Sequence, residues 1–90
     1  FQPVSAEPSP EEHAERSELN KELQKAILAL SDNQRAVLVL IDVQGFSYEE
    51  TTEFVGASIG TVKSRLNRAR RRVRDILMER RELLPDRFRQ

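Results

Sequence analysis

The 90-residue chain has no cysteine and no tryptophan, and it contains only 3 glycines and 4 prolines. Without cysteine it can form neither a disulfide nor a thiolate metal site. Its one histidine, His13, lies in a polar, acidic segment, whereas a metal site needs several converging ligands. No apolar run approaches the roughly 20 residues of a membrane span, and the first residues lack a signal-peptide pattern. We therefore expect a small cytoplasmic domain without a cofactor, membrane contact or small-molecule substrate.

Groups of residues typical of catalytic sites are missing as well. Glu49 and Glu50 are adjacent carboxylates, but helix capping accounts for Glu50, and Glu49 is expected to face solvent. The chain offers no cysteine nucleophile, no partner for His13 and no glycine loop that would hold phosphates. We predict that the chain is not an enzyme.

Charge is distributed unevenly along the chain, although 15 basic and 15 acidic residues cancel. Residues 1–30 carry six acids and three bases, residues 31–62 five acids and one base, and residues 63–81 nine bases and two acids. The segment from Lys63 to Arg74 contains seven cations and no acid that would pair with them. A solvated helix face is the simplest explanation. The asymmetry favours instead a surface for a polyanion, in which these side chains bind phosphate.

The first half of the chain predicts a tail followed by two helices. Three prolines among small and acidic residues indicate a linker or tail over residues 1–12. A helical pattern starts at about Glu11, and its apolar positions recur at steps of three and four: Leu19, Leu23, Ala26, Ile27 and Leu30. Ser31 and Gln34 form a capping box for a second helix, which should end near Gly45. Its run VLVLIDV is also compatible with a buried strand, but the cap before it and the glycine after it favour a helix.

Two further helices follow, separated by a very short turn. Ser47 and Glu50 form a second capping box, and Gly56 is suited to the left-handed residue that ends this third helix. Ser58 then caps a long fourth helix to about Leu83, stopped by Pro85. The sequence predicts an all-α fold, a small four-helix domain over residues 13–84 with a C-terminal helix-turn-helix, and a tail at residues 85–90.

The predicted fourth helix has one apolar face and one polar, basic face. The apolar positions are Ile59, Val62, Leu66, Ala69, Val73 and Ile76 or Leu77. The opposite positions are Gly60, Lys63, Ser64, Asn67, Arg71 and Arg74. This order is typical of a recognition helix in the major groove, where Lys63 would bind guanine and Asn67 adenine. A membrane surface or a calmodulin-like groove is a weaker alternative, because the apolar face lacks Trp and Phe.

The residues from Leu30 to Leu77 resemble region 4 of a bacterial RNA polymerase sigma factor of the extracytoplasmic-function group. The motifs are "GFSYEE" at 45–50 and "GTVKSRLNRAR" at 60–70, in the right order and separation. A response-regulator effector domain of the LuxR type shares a similar "TVK" helix, but the upstream "LSDNQR" favours the sigma family.

The resemblance implies a transcription-initiation domain that recognises the −35 promoter element with the second helix of the helix-turn-helix. It places Lys63, Ser64, Asn67 and Arg68 in the groove. It assigns phosphate contacts to Ser47, Tyr48, Glu49 (through its backbone N–H), Thr61 and Arg71. It also implies docking on the flap of the polymerase β subunit and masking by an anti-sigma factor.

Some positions depart from the family pattern. The family commonly has Ile-Ala at Thr51 and Thr52, and we expect Thr52 to lie under the turn and to bond a carbonyl one turn back. Ile41 stands where many members carry a basic phosphate contact, and Ser31 replaces a proline. A protein-interaction module for an acidic partner stays an alternative, with apolar surface residues of the first two helices as its contacts: Leu23, Ile27, Leu38 and Ile41.

Overall fold

A computed structural model of the chain describes residues 9–83. Four α-helices make up most of this part: α1 (Pro10–Leu28), α2 (Asp32–Leu38), α3 (Tyr48–Val55) and α4 (Ile59–Glu79). A π-helical turn (Val39–Val43) extends α2, and a 3-10 turn (Arg81–Leu83) follows α4. Residues 9–83 contain no strand, so the prediction of an all-α domain is confirmed. The tail predicted at residues 85–90, with Pro85 as a helix stop, lies outside the described residues.

Helix α1 begins within the segment predicted to be a linker. Ser9 is its N-cap and forms a complete capping box with Glu12, while Pro10 occupies the first turn. Proline is favoured there because its missing N–H would have no partner in the helix anyway. The prolines of this segment led to the prediction of a linker over residues 1–12, but Pro10 lies in the first turn of a helix. Residues 1–8 lie outside the described part of the chain.

A single arginine joins the end of α1 to α2. The guanidinium of Arg35 donates hydrogen bonds to three backbone carbonyls at the end of α1, those of Ile27 (3.2 Å), Leu28 (3.0 Å) and Leu30 (2.7 Å). The Ile27 carbonyl also accepts from the N–H of Leu30 at 3.1 Å, so Arg35 adds further hydrogen bonds at a helix end, where carbonyls lack donors from a following turn. Ser31 starts α2 as predicted, and its Oγ accepts from the N–H of Gln34, but the reciprocal bond of the predicted capping box, from the N–H of Ser31 to the Gln34 side chain, is not formed.

The second helix ends in a π-helical turn. The N–H of Gln44 donates to the carbonyl of Val39 at 2.9 Å, one residue further back than in an α-helix. Gly45 follows with a φ of 81°, so the helix stops where the sequence predicted. The alternative of a buried strand over VLVLIDV is wrong. Turns of this kind are frequent at functional sites.

The predicted helix-turn-helix is formed by α3, Gly56 and α4. Both halves of the Ser47–Glu50 capping box are present, and Gly56 adopts the left-handed conformation with a φ of 68°. Ser58 caps α4 by accepting from the N–H of Thr61.

One face of α4 forms the centre of the hydrophobic core. Its buried side chains are Val62, Leu66, Ala69, Val73 and Ile76. Those of α1, α2 and the turn between them are Ala26, Leu30, Val37 and Leu38. Ile59, predicted on this face, is 41% exposed, because it lies at the first position of α4, beyond the packed part of the helix. The apolar face of α4 is otherwise confirmed.

Helix α4 is shorter than predicted. It ends at Glu79, and Arg80 leaves the helical conformation with a φ of −107° and a ψ of 17°. The Nε of Arg80 donates to Glu22 Oε1 at 2.6 Å, on the buried side of α1. The sequence predicted a helix to about Leu83 because Pro85 was taken as its stop, and the contact between Arg80 and Glu22, 58 positions apart, leaves no local signal.

Candidate nucleic-acid interface

The polar face of α4 is exposed to solvent. The side chains predicted to enter a DNA groove, Lys63, Ser64, Asn67 and Arg68, are exposed, and so is Arg71. Their spacing along the helix places them on adjacent turns of one face. Because the opposite face is packed in the core, α4 can present this surface only outward. The structure therefore brings these five predicted residues together.

The start of α3 supplies backbone donors beside this face. The N–H and the hydroxyl of Ser47 already have partners in its own helix. The N–H donates to Glu50 Oε1 (2.8 Å), and the Oγ accepts from the N–H of Glu50 (3.0 Å). The N–H groups of Tyr48 and Glu49 precede the first backbone hydrogen bond of the helix, which Thr51 donates to Ser47. Free N–H groups at a helix start favour an anion such as phosphate.

The hydroxyl of Thr61 lies at the start of α4. It accepts a hydrogen bond from the Ser58 hydroxyl at 3.0 Å, which leaves its own hydrogen for donation to a ligand. Thr61 is half-buried. This geometry is compatible with the predicted phosphate contact.

Lys63 lies over the ring of Tyr48, with its Nζ 5.8 Å from the ring centroid. This distance is within the range of a cation–π interaction. Tyr48 itself is half-buried and packs against the core. The two predicted site residues thus connect α3 to α4 through their side chains. The sequence placed both at the site but carried no signal that they touch.

Arg70 is bound to an acid, contrary to the expectation that the whole basic cluster serves phosphate. Its Nε and Nη2 donate to the two carboxylate oxygens of Asp42 at 2.8 and 2.6 Å. Two parallel bonds of this kind are among the stronger ion pairs in proteins. Asp42 is 28 positions away in the sequence. The charge pattern within α4 could not reveal it.

The pair changes the ionisation of both groups. The Arg70 hydrogen bond lowers the pKa of Asp42 below its ordinary value, and partial burial of the carboxyl opposes this shift. The Asp42 hydrogen bond raises the pKa of Arg70, with a smaller contribution from Tyr48. Both groups therefore stay charged at neutral pH, and Arg70 is held by Asp42.

Neither a metal site nor a membrane segment is found among residues 9–83. This part of the chain has no group of three or more side chains that could hold a metal ion. None of its helices is both long enough and apolar enough to cross a membrane.

The sequence comparisons lead to the same kind of domain as the helix-turn-helix and its outward basic face. A profile of the family described as Sigma-70, region 4 matches residues 20–73, more than half of the chain. The chain belongs to this family. The identification as region 4 of a sigma factor, a domain of transcription initiation, is confirmed. Sigma factors are a non-enzymatic family.

Several sigma factors are similar to the chain. The ECF RNA polymerase sigma factor SigE of Mycolicibacterium smegmatis is 42% identical over 71 residues, which are 79% of the chain and 28% of that protein. The ECF sigma factor EcfG of Rhodopseudomonas palustris is 36% identical over 74 residues, 82% of the chain and 39% of that protein. The sigma-E factor of Streptomyces antibioticus is 44% identical over 71 residues, 79% of the chain and 37% of that protein. The chain spans less than half the length of these relatives.

The two threonines of this sigma region 4 behave differently from the prediction for them. Thr52 does donate to the Glu49 carbonyl, at 2.5 Å, but it is only half-buried. Thr51 is the residue with no exposed surface, and its hydroxyl donates to the Ser47 carbonyl at 2.8 Å. The side chain under the turn is therefore Thr51. Its hydroxyl is satisfied one turn back, which is how a polar residue occupies a core position.

Sequence reasoning also missed an aromatic pair beside the turn. The rings of Phe46 and Phe54 meet edge to face, with centroids 5.2 Å apart. Phe54 is nevertheless 69% exposed. The apolar type of both residues was a signal, but their separation does not follow a helical step because Phe46 precedes α3.

Proposed function

We propose that this domain recognises a −35 promoter element with α4 in the major groove of DNA. The observation that supports this most is the exposed face from Lys63 to Arg71 on a helix whose other face is buried. A helix of about 10–12 Å fits a groove about 12 Å wide. Ser64 is small, which permits a close approach, while Lys63 and Asn67 carry donors that match guanine and adenine edges.

Phosphate contacts would surround this base-reading face. The backbone N–H groups of Tyr48 and Glu49 and the hydroxyl of Thr61 would bind one side of the groove, and the guanidinium of Arg71 the other. In this proposal Arg68 reaches into the groove and Ser47 acts as the cap that orients the α3 donors. Arg70 is excluded from the contacts because Asp42 holds it.

Docking on RNA polymerase is the second part of the proposal. An apolar groove lies between α1 and α4, lined by Leu19, Val73, Leu77 and Met78 and bordered by Arg70, Arg74 and Arg81. Met78 is 51% exposed, which leaves an apolar surface for a protein. We propose that the flap of the β subunit or an anti-sigma factor binds here. A domain that works with polymerase on promoter DNA would act in the cytoplasm and without catalysis of its own.

The other residues named as protein contacts are less suited to this role. Leu38 is buried, with 6% of its surface exposed, so it belongs to the core. Ile27 and Ile41 are half-buried and pack against the core, and Leu23 is 36% exposed. Of this group Leu23 remains the best surface candidate. A variant with Met78→Glu would test the groove: polymerase binding should be lost while DNA binding is kept.

DNA binding by the 90-residue chain tests the main proposal. Duplexes are first selected from a random pool, and affinity is then measured for a selected and an unrelated duplex. A single module of this size binds weakly, with an unspecific Kd of roughly 10⁻⁴–10⁻⁶ M. Lys63→Ala should weaken binding to the selected duplex by about 1–3 kcal/mol and change binding to the unrelated one little.

One control variant and one further test variant define the result. Lys21→Ala removes an equal charge from α1, where Lys21 pairs with Glu18, and should leave both affinities unchanged. Arg68→Ala should weaken binding to the selected duplex as well. The proposal fails if the selection yields no preferred duplex, or if neither Lys63→Ala nor Arg68→Ala alters binding.

A further inference from the structure

Arg70 lies in the row of side chains with which α4 would meet DNA. It comes seven positions after Lys63, which is two helical turns, and three after Asn67, so these residues share one side of the helix. The side chain of Arg70 is 49% exposed. A free arginine at this position would add one more phosphate contact to the basic surface.

Asp42 binds Arg70 in the way that a phosphate would. Nε and Nη2 of the guanidinium donate to the two carboxylate oxygens, at 2.8 and 2.6 Å. Arginine binds carboxylate and phosphate groups with the same pair of parallel N–H donors. Because Asp42 already uses this pair, a DNA phosphate must either displace the carboxylate or use the remaining N–H groups beside a negative charge.

The fold places Asp42 at Arg70. Asp42 lies in the π-helical turn, four positions after the buried Leu38, and the second helix packs on α4. Side chains four apart share a helix face, so the carboxylate lies on the side that faces α4. Its side chain is short and belongs to a helix that is already packed, so the pairing orders few additional bonds.

The acid that α4 itself carries beside this surface does not hold a cation in the same way. Asp75 lies 3.8 Å from its neighbour Arg74, which is too long for a hydrogen bond, and the Arg74 side chain is 70% exposed. Arg74 therefore stays available to phosphate, whereas Arg70 is held by two bonds from another helix.

We propose that Asp42 is an intramolecular competitor of DNA phosphate: it holds Arg70 and thereby weakens the binding of this domain to DNA of any sequence. A phosphate contact strengthens binding to every duplex, so its loss lowers affinity without changing the preference between sequences. Weaker binding shortens the time that the domain spends on unrelated DNA. This inference rests on the proposed function in one respect, that the exposed face of α4 meets DNA, and it does not require base recognition.

Binding to the unrelated duplex at increasing salt tests the competition. Asp42→Asn should tighten binding and steepen the fall of log K with log salt by about 0.9, the value of one added phosphate contact. From about 0.05 to 0.2 M salt the advantage of this variant should therefore shrink by about threefold. Asp75→Asn is the matched control, an equal charge change beside the same surface, and it should not steepen the salt dependence, because Asp75 holds no arginine by a hydrogen bond.

A second background separates the release of Arg70 from the removal of a negative charge. Charge alone predicts that Asp42→Asn tightens binding equally with and without Arg70, since the two substitutions would then be additive. The proposal predicts that Arg70→Gln removes most of the gain and all of the steepening. Equal gains in the two backgrounds overturn it. Circular dichroism confirms that each variant is folded under the conditions used.

NMR of the Arg70 Nε–H group observes the pair directly. Arg70→Gln lacks this signal and so assigns it. In the unsubstituted chain the signal should keep its position when the unrelated duplex is added, because the Nε–H stays on Asp42. In Asp42→Asn it should move on addition of the same duplex. A signal that moves equally in both proteins shows that Asp42 does not hold Arg70 against phosphate, and it overturns the proposal.

The outcomes separate this inference from the proposed function. If selection yields no preferred duplex, recognition of a promoter element fails, while binding to the unrelated duplex still decides whether Asp42 competes with phosphate. If a preferred duplex is found but Asp42→Asn leaves the salt dependence unchanged, only the competition fails. If neither the unsubstituted chain nor Asp42→Asn binds any duplex, both fail.

Discussion

Single residues at helix ends determine where each element of this domain begins and stops. Ser9, Ser31, Ser47 and Ser58 each accept a hydrogen bond from a backbone N–H three residues later. Gly56 ends α3 in the left-handed conformation, and no heavy atom lies within 4 Å of the position where a Cβ would stand. Glycine is required there by the backbone conformation alone, because the space around it is open.

Two alanine substitutions test whether the left-handed backbone conformation alone requires glycine at Gly56, because neither Gly56 nor Gly60 is crowded. Gly56→Ala should lower the free energy of unfolding by about 1–2 kcal/mol, the cost of a left-handed residue with a Cβ. Gly60→Ala should raise it by about 0.5–1 kcal/mol, since Gly60 lies within α4 and its Cβ would meet only Ser58 Oγ at 4.0 Å. Urea unfolding of both variants measures the difference. Equal effects of the two substitutions would contradict this assignment.

At the scale of the element, α4 combines two functions on one helix. Its buried stripe from Val62 to Ile76 anchors it to α1 and α2, and its exposed stripe carries the cations. Such a division needs a long helix, because each function uses a separate face over several turns. The helix-turn-helix places the start of α3 beside the exposed stripe. The resulting surface is larger than either helix offers alone.

The salt dependence of DNA binding follows from the cations of this element. Each phosphate contact releases counterions, so log K falls with log salt by about 0.9 per contact. Arg71→Ala should reduce the steepness of this dependence by about 1 and weaken binding to all duplexes equally. Arg16→Ala, an exposed arginine of α1, serves as the control. A slope unchanged by Arg71→Ala would remove Arg71 from the phosphate contacts.

At the scale of the whole molecule, an ion pair connects α1 to the end of α4. Glu22 is 4% exposed and accepts from Arg80 at 2.6 Å, with Lys25 3.5 Å away. The hydrogen bond from Arg80 lowers the pKa of Glu22, against the opposing effect of burial. The folded state therefore favours the ionised carboxylate. Removing Arg80 would leave the buried Glu22 carboxylate poorly solvated, whereas the Arg80 side chain is itself 37% exposed.

A pH dependence of stability follows from this lowered pKa. Because the folded pKa lies below the unfolded one, the contribution of Glu22 is complete above about pH 4.3 and is lost as the pH falls through the folded pKa. Glu22→Gln should lower the Tm at about pH 7, and its difference from the unsubstituted chain should shrink towards about pH 3. Glu18→Gln, in an exposed pair with Lys21, should change little. A constant difference across this range would show that Glu22 does not titrate as inferred.

The local features of the site were the ones that could be predicted from sequence. Each of these features depends on residues within a few positions of one another: the caps, the glycine turn and the exposed face of α4. The same is true of the candidate residues from Lys63 to Arg71, which follow one another at helical spacing. Thr51 and Thr52 show the limit of this reasoning. Both threonines bond a carbonyl one turn back, yet only the packing of α3 against α4 shows that Thr51 is the buried one.

The sequence by itself determined the helices, the turn between α3 and α4, and the family, because capping, left-handed glycine and helical periodicity act over short distances along the chain. The tertiary structure alone decided which cations are paired with distant acids. Arg70 meets Asp42 and Arg80 meets Glu22, and these partners lie 28 and 58 positions away. An ion pair depends on distance in space, and only the packing of α1 and α2 on α4 brings these acids close enough to bind the two arginines.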